Sequence, residues 1–151
     1  MDARRGIWKD YRTEIVAKPA KRLLKALQRG GKAMSPSEHD EQVALFQWAE
    51  LNQRKYPVLK LLFHVPNGGH RHIAVARKLK AEGVKAGVPD IFLPVSRFLY
   101  HGLFIEMKKK KGGVISPSQT EWIENLKKQG YSCEVAYGFE DAKKIIEDYL
   151  K

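Results

Sequence analysis

Apolar residues recur along this chain with two periods. Helical spacing, three and four residues apart, marks Ala44, Leu45, Trp48 and Leu51 in a segment from about 37 to 55. It also marks Ile73, Ala76 and Leu79 within 72–82, and Trp122, Ile123 and Leu126 in the segment opened by Ser116. A last helix is predicted from about Phe139 to Leu150. Earlier, Leu23, Leu24 and Leu27 line one stripe of the helix-prone run Ala20 to Gln28, which Gly30-Gly31 ends. Short apolar runs of strand character lie between the helices: Leu59–Val65, Ile91–Val95, Leu103–Lys108 and Ser132–Tyr137. The order helix, three strands with a helical insertion, helix, strand, helix predicts an α/β fold. Periodicity leaves the strand order open.

Two polar positions interrupt these patterns informatively. Glu41 lies three and four residues before Ala44 and Leu45, so an acid sits at the end of a buried stripe and faces the sheet. Ser116-Pro117-Ser118-Gln119 is a helix start, with Ser116 as N-cap, Pro117 at the first helical position and Gln119 at the third.

Composition narrows the setting. The chain has 151 residues, enough for one core, and a formal net charge of +11. That charge favours a polyanionic partner, nucleic acid before an anionic membrane surface. It is uneven: residues 1–33 hold ten Lys or Arg against three acids, which leaves +4 for the rest. We therefore expect a basic N-terminal extension over 1–33 and a folded domain over 34–151. The one cysteine, Cys133, excludes an internal disulfide and a thiolate zinc site, and in an apparent strand it reads as a small buried hydrophobe. No apolar run approaches the ~18–20 residues that span a bilayer. The N-terminus has no secretory apolar segment, so a cytoplasmic setting is expected.

The candidate chemistry lies on the central strands. Asp90 closes the turn Gly87-Val88-Pro89 and opens one apolar run; Glu106-Met107-Lys108, beginning sixteen residues later, ends the next. Side chains alternate faces along a strand, so Glu106 and Lys108 share a face and Met107 takes the other. If the two runs pair as a hairpin, Asp90 lies at the strand end nearest Glu106. Two carboxylates can hold a hard divalent cation, which assists phosphodiester hydrolysis, and the amine can orient water or offset the phosphate charge. A carboxylate in an apolar strand is costly unless paired or metal-bound.

Pro89-Asp90 followed by Glu106-x-Lys108 is similar to the PD-(D/E)xK nuclease superfamily. His64-Val65-Pro66-Asn67-Gly68-Gly69 with Arg71, then Gly87-Val88-Pro89-Asp90, Glu106-Met107-Lys108 and Ser116-x-x-Gln119, resembles the VRR-NUC (virus-type replication-repair nuclease) domain over roughly residues 36 to 137. The resemblance implies a restriction-endonuclease-like core, a mixed central β-sheet flanked by helices. It implies a Mg²⁺- or Mn²⁺-dependent endonuclease with Asp90, Glu106, Lys108 and Gln119 at the catalytic centre. Metal ligands would be Asp90, Glu106, Glu41 and the Met107 carbonyl. Asn67 and Arg71 would touch the DNA backbone, with Lys109, Lys110 and Lys111 adding nonspecific phosphate contacts. Stand-alone members resemble homodimeric four-way-junction resolvases, so branched DNA, a homodimer and a bacterial or phage-infected cell are expected.

Each residue also has a plainer reading. Asp90 suits a turn-capping acid, Glu41 a first-turn acid favoured by the helix dipole, and Gln119 a capping-box partner. Asn67 and Arg71 suit a turn and a surface charge, and Lys109–Lys111 a solvated patch. His64, His70 and His72 lack the spacing of a zinc site. Flap or duplex cutting, or DNA binding without catalysis, remain the alternatives.

Overall fold

The computed structural model describes residues 36–66 and 73–151. The expected basic extension and the loop with Asn67 and Arg71 lie outside the described residues. The elements in chain order are α1 (Glu38–Leu51), a 3-10 turn (Pro57–Leu61), β1 (Phe63–His64), α2 (Ile73–Ala81), β2 (Ile91–Leu93), β3 (Leu103–Lys108), α3 (Pro117–Lys128), β4 (Ser132–Tyr137) and α4 (Phe139–Tyr149). The strands form one sheet in the order β1-β2-β3-β4. The β1–β2 and β2–β3 pairs are antiparallel and β3–β4 is parallel, so the sheet is mixed. The fold is α/β, as the element order predicts.

One expected strand is mostly something else. The apolar run Leu59–Val65 predicts an extended strand, yet Pro57–Leu61 is a 3-10 turn and β1 keeps two residues. Pro57 supplies a helical φ at the first position, and Leu62 N–H donates to Leu59 C=O at 3.1 Å, an i to i+3 bond. Leu59 and Leu62 are buried while Lys60 and Leu61 are exposed, a period of three rather than two. Likewise β2 ends at Leu93, because Pro94 has no N–H for the ladder. Helix α1 stops at Leu51 instead of about 55: Asn52 already caps the helix, and Leu51 is exposed while Ala49 of the same turn is buried.

One sheet face carries the core. Ile105 and Met107 of β3, with Ile91 and Leu93 of β2, pack against Leu45 and Ala49 of α1 and Ala142 and Ile146 of α4. Each fully buried aliphatic side chain contributes about 1.5–3 kcal/mol of transfer free energy. The opposite face bears Phe92, Phe104, Glu106 and Lys108, with α3 against β4. Trp122, Ile123 and Leu126 of α3 are half-buried, so this second layer is thinner than the first. Cys133 is buried as expected, and burial pushes its thiol up to about 11.

The β2–β3 hairpin is closed by paired backbone bonds between Arg97 and Tyr100. Its tip, Phe98-Leu99, is exposed, and Phe98 has φ 52°. The tip stands at the end of the hairpin opposite Asp90 and Glu106.

Candidate active site

Strand register fixes the neighbourhood. Ile91 pairs with Ile105, so Asp90, one residue before β2, lies beside Glu106. The Asp90 carboxylate accepts the Met107 N–H at 2.9 Å, which ties it to β3. The Asp90 carbonyl accepts the Val65 N–H at 2.7 Å and a His64 Nδ1–H at 2.9 Å. A carbonyl can only accept, so the His64 proton sits on Nδ1. Pro89 is fully buried behind this turn.

Glu106 is 1% exposed and Lys108 6% exposed. Lys108 Nζ donates to Glu106 Oε1 at 2.5 Å, and Gln119 Nε2 donates to the same oxygen. Glu106 Oε2 is buried and has no hydrogen-bond partner. Burial pushes the Glu106 carboxyl up to about 7; the Lys108 hydrogen bond pulls it down and the Asp90 charge pushes it further up. An unmatched buried carboxylate oxygen costs more than the ~1–3 kcal/mol of a neutral polar atom. A proton held against Asp90, or a bound cation, would satisfy that atom.

Gln119 reconciles its two readings. Ser116 Oγ accepts the Gln119 N–H and Gln119 Oε1 accepts the Ser116 N–H at 2.9 Å, a complete capping box. The amide nitrogen left over is the one that reaches Glu106. The cap orients the amide so that its donor points at the carboxylate.

Gly87 opens the turn that Asp90 closes, and the structure gives it a steric role. Its φ is +90°, and a Cβ there would lie 2.7 Å from the Ser118 carbonyl oxygen and 2.9 Å from the Trp122 ring. Only glycine lets the Asp90 turn lie against the first turn of α3, where Gln119 starts.

Glu41 is 6% exposed and faces inward, as the stripe predicts. Its Oε2 accepts the Phe139 N–H at 2.7 Å and its Oε1 lies 3.7 Å from Lys110 Nζ. Helix α4 has Gly138 at its N-cap and no side-chain cap of its own; Glu41 supplies the missing acceptor from 98 residues away. Gly138 also leaves room for the Lys110 stem, since a Cβ would lie 2.5 Å from Lys110 Cε. Asp90, Glu106, Lys108 and Gln119 are therefore brought together, and Glu41 is joined to Lys110 and α4 instead. Among the described residues no three His, Cys, Asp or Glu side chains group to hold a metal. Lys109 and Lys111 are exposed.

The donor set nevertheless fits a divalent cation: two adjacent carboxylates, one with an orphaned buried oxygen, beside the Met107 backbone. No helix among the described residues is long and apolar enough to cross a membrane.

A family model described as "VRR-NUC domain" matches residues 36–140. A solved structure described as "VRR_NUC domain protein" is 33% identical, with a TM-score of 0.65, covering 80% of this chain and 91% of that one. No curated protein gives a significant match.

Proposed function

The chain belongs to the VRR-NUC domain family, and on that premise we propose that it is a metal-dependent endonuclease that cuts branched DNA as a homodimer. The observation that carries this reading is the buried, unpartnered Glu106 Oε2 beside Asp90 and Lys108, in a chain of net charge +11. The same reading assigns the chain to the PD-(D/E)xK superfamily.

Asp90, Glu106 and the Met107 carbonyl hold Mg²⁺ or Mn²⁺, which supplies the positive charge that the carboxylates and a phosphate together require. Glu41, which is joined to Lys110 and the α4 backbone in this structure, would be a further ligand on this reading. Lys108 orients the attacking water and donates to the phosphate oxygens. Gln119 keeps Glu106 in place while the site changes charge. Water adds to phosphorus, the bond to the 3′ oxygen breaks, and a proton ends on that oxygen. The products are a 5′-phosphate and a 3′-hydroxyl.

Asn67, Arg71, Lys109, Lys110 and Lys111 contact phosphates, and the basic extension over residues 1–33 adds to the positive charge. Such contacts make binding strongly salt-dependent. A two-fold dimer offers two equivalent sites, which suits paired cuts on a four-way junction.

The test compares four-way junction, flap and linear duplex DNA with Mg²⁺ or Mn²⁺, using wild type and Lys108→Ala. Symmetric junction cutting that needs metal and disappears in the variant supports the proposal. Flap or duplex cutting alone removes the junction preference, and binding without any cutting removes the enzyme.

A further inference from the structure

Three phenylalanines form a row on the sheet face that carries the carboxylates. Phe63 of β1 is the register partner of Phe92, and Phe92 of Phe104. Directly opposed residues point to one face, so the three rings lie side by side. Phe92 and Phe104 stack with centroids 4.1 Å apart, and Phe63 meets Phe92 edge-on at 5.6 Å. Tyr131 closes the far end, 5.4 Å from Phe104 and 5.9 Å from Phe92. At the near end the row is open: Phe63 remains 47% exposed.

The position of this row matters. Asp90 is two residues before Phe92 and Glu106 two residues after Phe104, on antiparallel strands. The row and the carboxylates are therefore successive layers of the same face, roughly 7 Å apart along the strands. The sequence that flanks Phe63 is basic: between Tyr56 and Pro89 it has six Lys or Arg and one acid, Glu82. Lys60, Arg77 and Lys80 among them are exposed. An open aromatic ring in a basic setting is the combination that holds unpaired nucleotides, phosphates on the cations and a base on the ring. The hairpin tip Phe98-Leu99 is also exposed, but it lies at the other end of β2 and β3.

Resting on the nuclease reading, we propose that Phe63 is a stacking platform for an unpaired DNA base next to the cleaved phosphodiester, and that it sets the preference for branched over linear DNA. Fully paired duplex has no free base face to offer. A branch point or a frayed end does.

The experiment uses the full chain without metal and junction and flap DNAs carrying 2-aminopurine beside the branch, with matched duplex as control. Wild type is expected to bind the branched DNAs more tightly and to change the 2-aminopurine fluorescence. Phe63→Ala should lose roughly 5- to 150-fold of the branched-over-duplex preference, together with the fluorescence change. Phe63→Trp should restore both, Phe63→Leu should restore neither, and Phe98→Ala should leave both unchanged. Thermal melts confirm that the variants fold. Equal branched-DNA binding and fluorescence in wild type and Phe63→Ala overturns the proposal. So does conversion of a dimer to a monomer by Phe63→Ala without DNA, which would make Phe63 a contact between copies. Cleavage of the same DNAs with Mg²⁺ or Mn²⁺ reads the nuclease assignment separately, so the two ideas fail by different signals.

Discussion

Gln119 holds Ser116 with one end of its amide and Glu106 with the other. A local capping device thus doubles as a support for a buried carboxylate thirteen residues away. The two jobs separate by mutation. Ser116→Ala removes the cap hydroxyl and should cost about 1 kcal/mol of stability, with little change in cleavage rate. Gln119→Ala should cost a similar amount and lower cleavage at least ten-fold. Equal rate losses in the two variants would show that the contact to Glu106 does not matter to the reaction.

Glu106 gives the metal-free protein a distinctive pH dependence. Its carboxyl rises from 4.5 to about 7 on folding, chiefly through burial. Between those values the folded chain binds more protons than the unfolded chain, so this group's stabilising contribution is full below 4.5, falls as pH rises, and levels off above 7. Melting in chelator from pH 4.5 to 8 should show wild type losing stability relative to Glu106→Gln across that window. A constant difference between the two would refute the account. Mg²⁺ or Mn²⁺ should raise the wild-type Tm more at pH 8 than at pH 5.

Lys108 is the counter-charge of that carboxylate. Lys108→Met should abolish cleavage and, near pH 8, cost roughly 3–5 kcal/mol, the usual effect of stranding one member of a buried ion pair. The double variant Lys108→Met, Glu106→Gln should recover most of the stability and none of the activity. A double variant as unstable as Lys108→Met would place the defect elsewhere.

Glu41 can be dissected by charge. Glu41→Gln keeps a carbonyl able to accept the Phe139 N–H; Glu41→Ala does not. Stability should fall by about 0.5–2 kcal/mol in the alanine variant only. Calorimetric Mn²⁺ affinity should fall in both if Glu41 is a ligand. Unchanged affinity in the glutamine variant would confine Glu41 to capping α4.

Gly87→Ala places a Cβ in a left-handed backbone and against the Ser118 carbonyl. The backbone term alone is about 1–2 kcal/mol. Because the displaced turn carries Asp90, cleavage should fall more steeply than Tm. A variant with lowered Tm but full activity would show that the Gly87 contact does not position Asp90.

The sequence by itself determined much of this protein. Alternating β3 placed Glu106 and Lys108 on one face, because side-chain direction in a strand depends only on parity. Ser116-Pro117-Ser118-Gln119 specified its own helix start, since capping is settled within four residues. The α1 stripe already turned Glu41 inward. Local rules failed where proline and distance intervened: after Pro57, Leu59 and Leu62 follow a period of three that a run of apolar residues concealed, and Pro94 cut β2 short. Glu41 shows most clearly what only tertiary structure decided. Its partners, Phe139 and Lys110, are far along the chain, and no spacing encodes a helix cap supplied from another helix. The orphaned Glu106 oxygen, the close approach at Gly87 and the open end of the phenylalanine row are of the same kind. Each depends on which surfaces meet after the sheet closes, and packing, not local pattern, decides that.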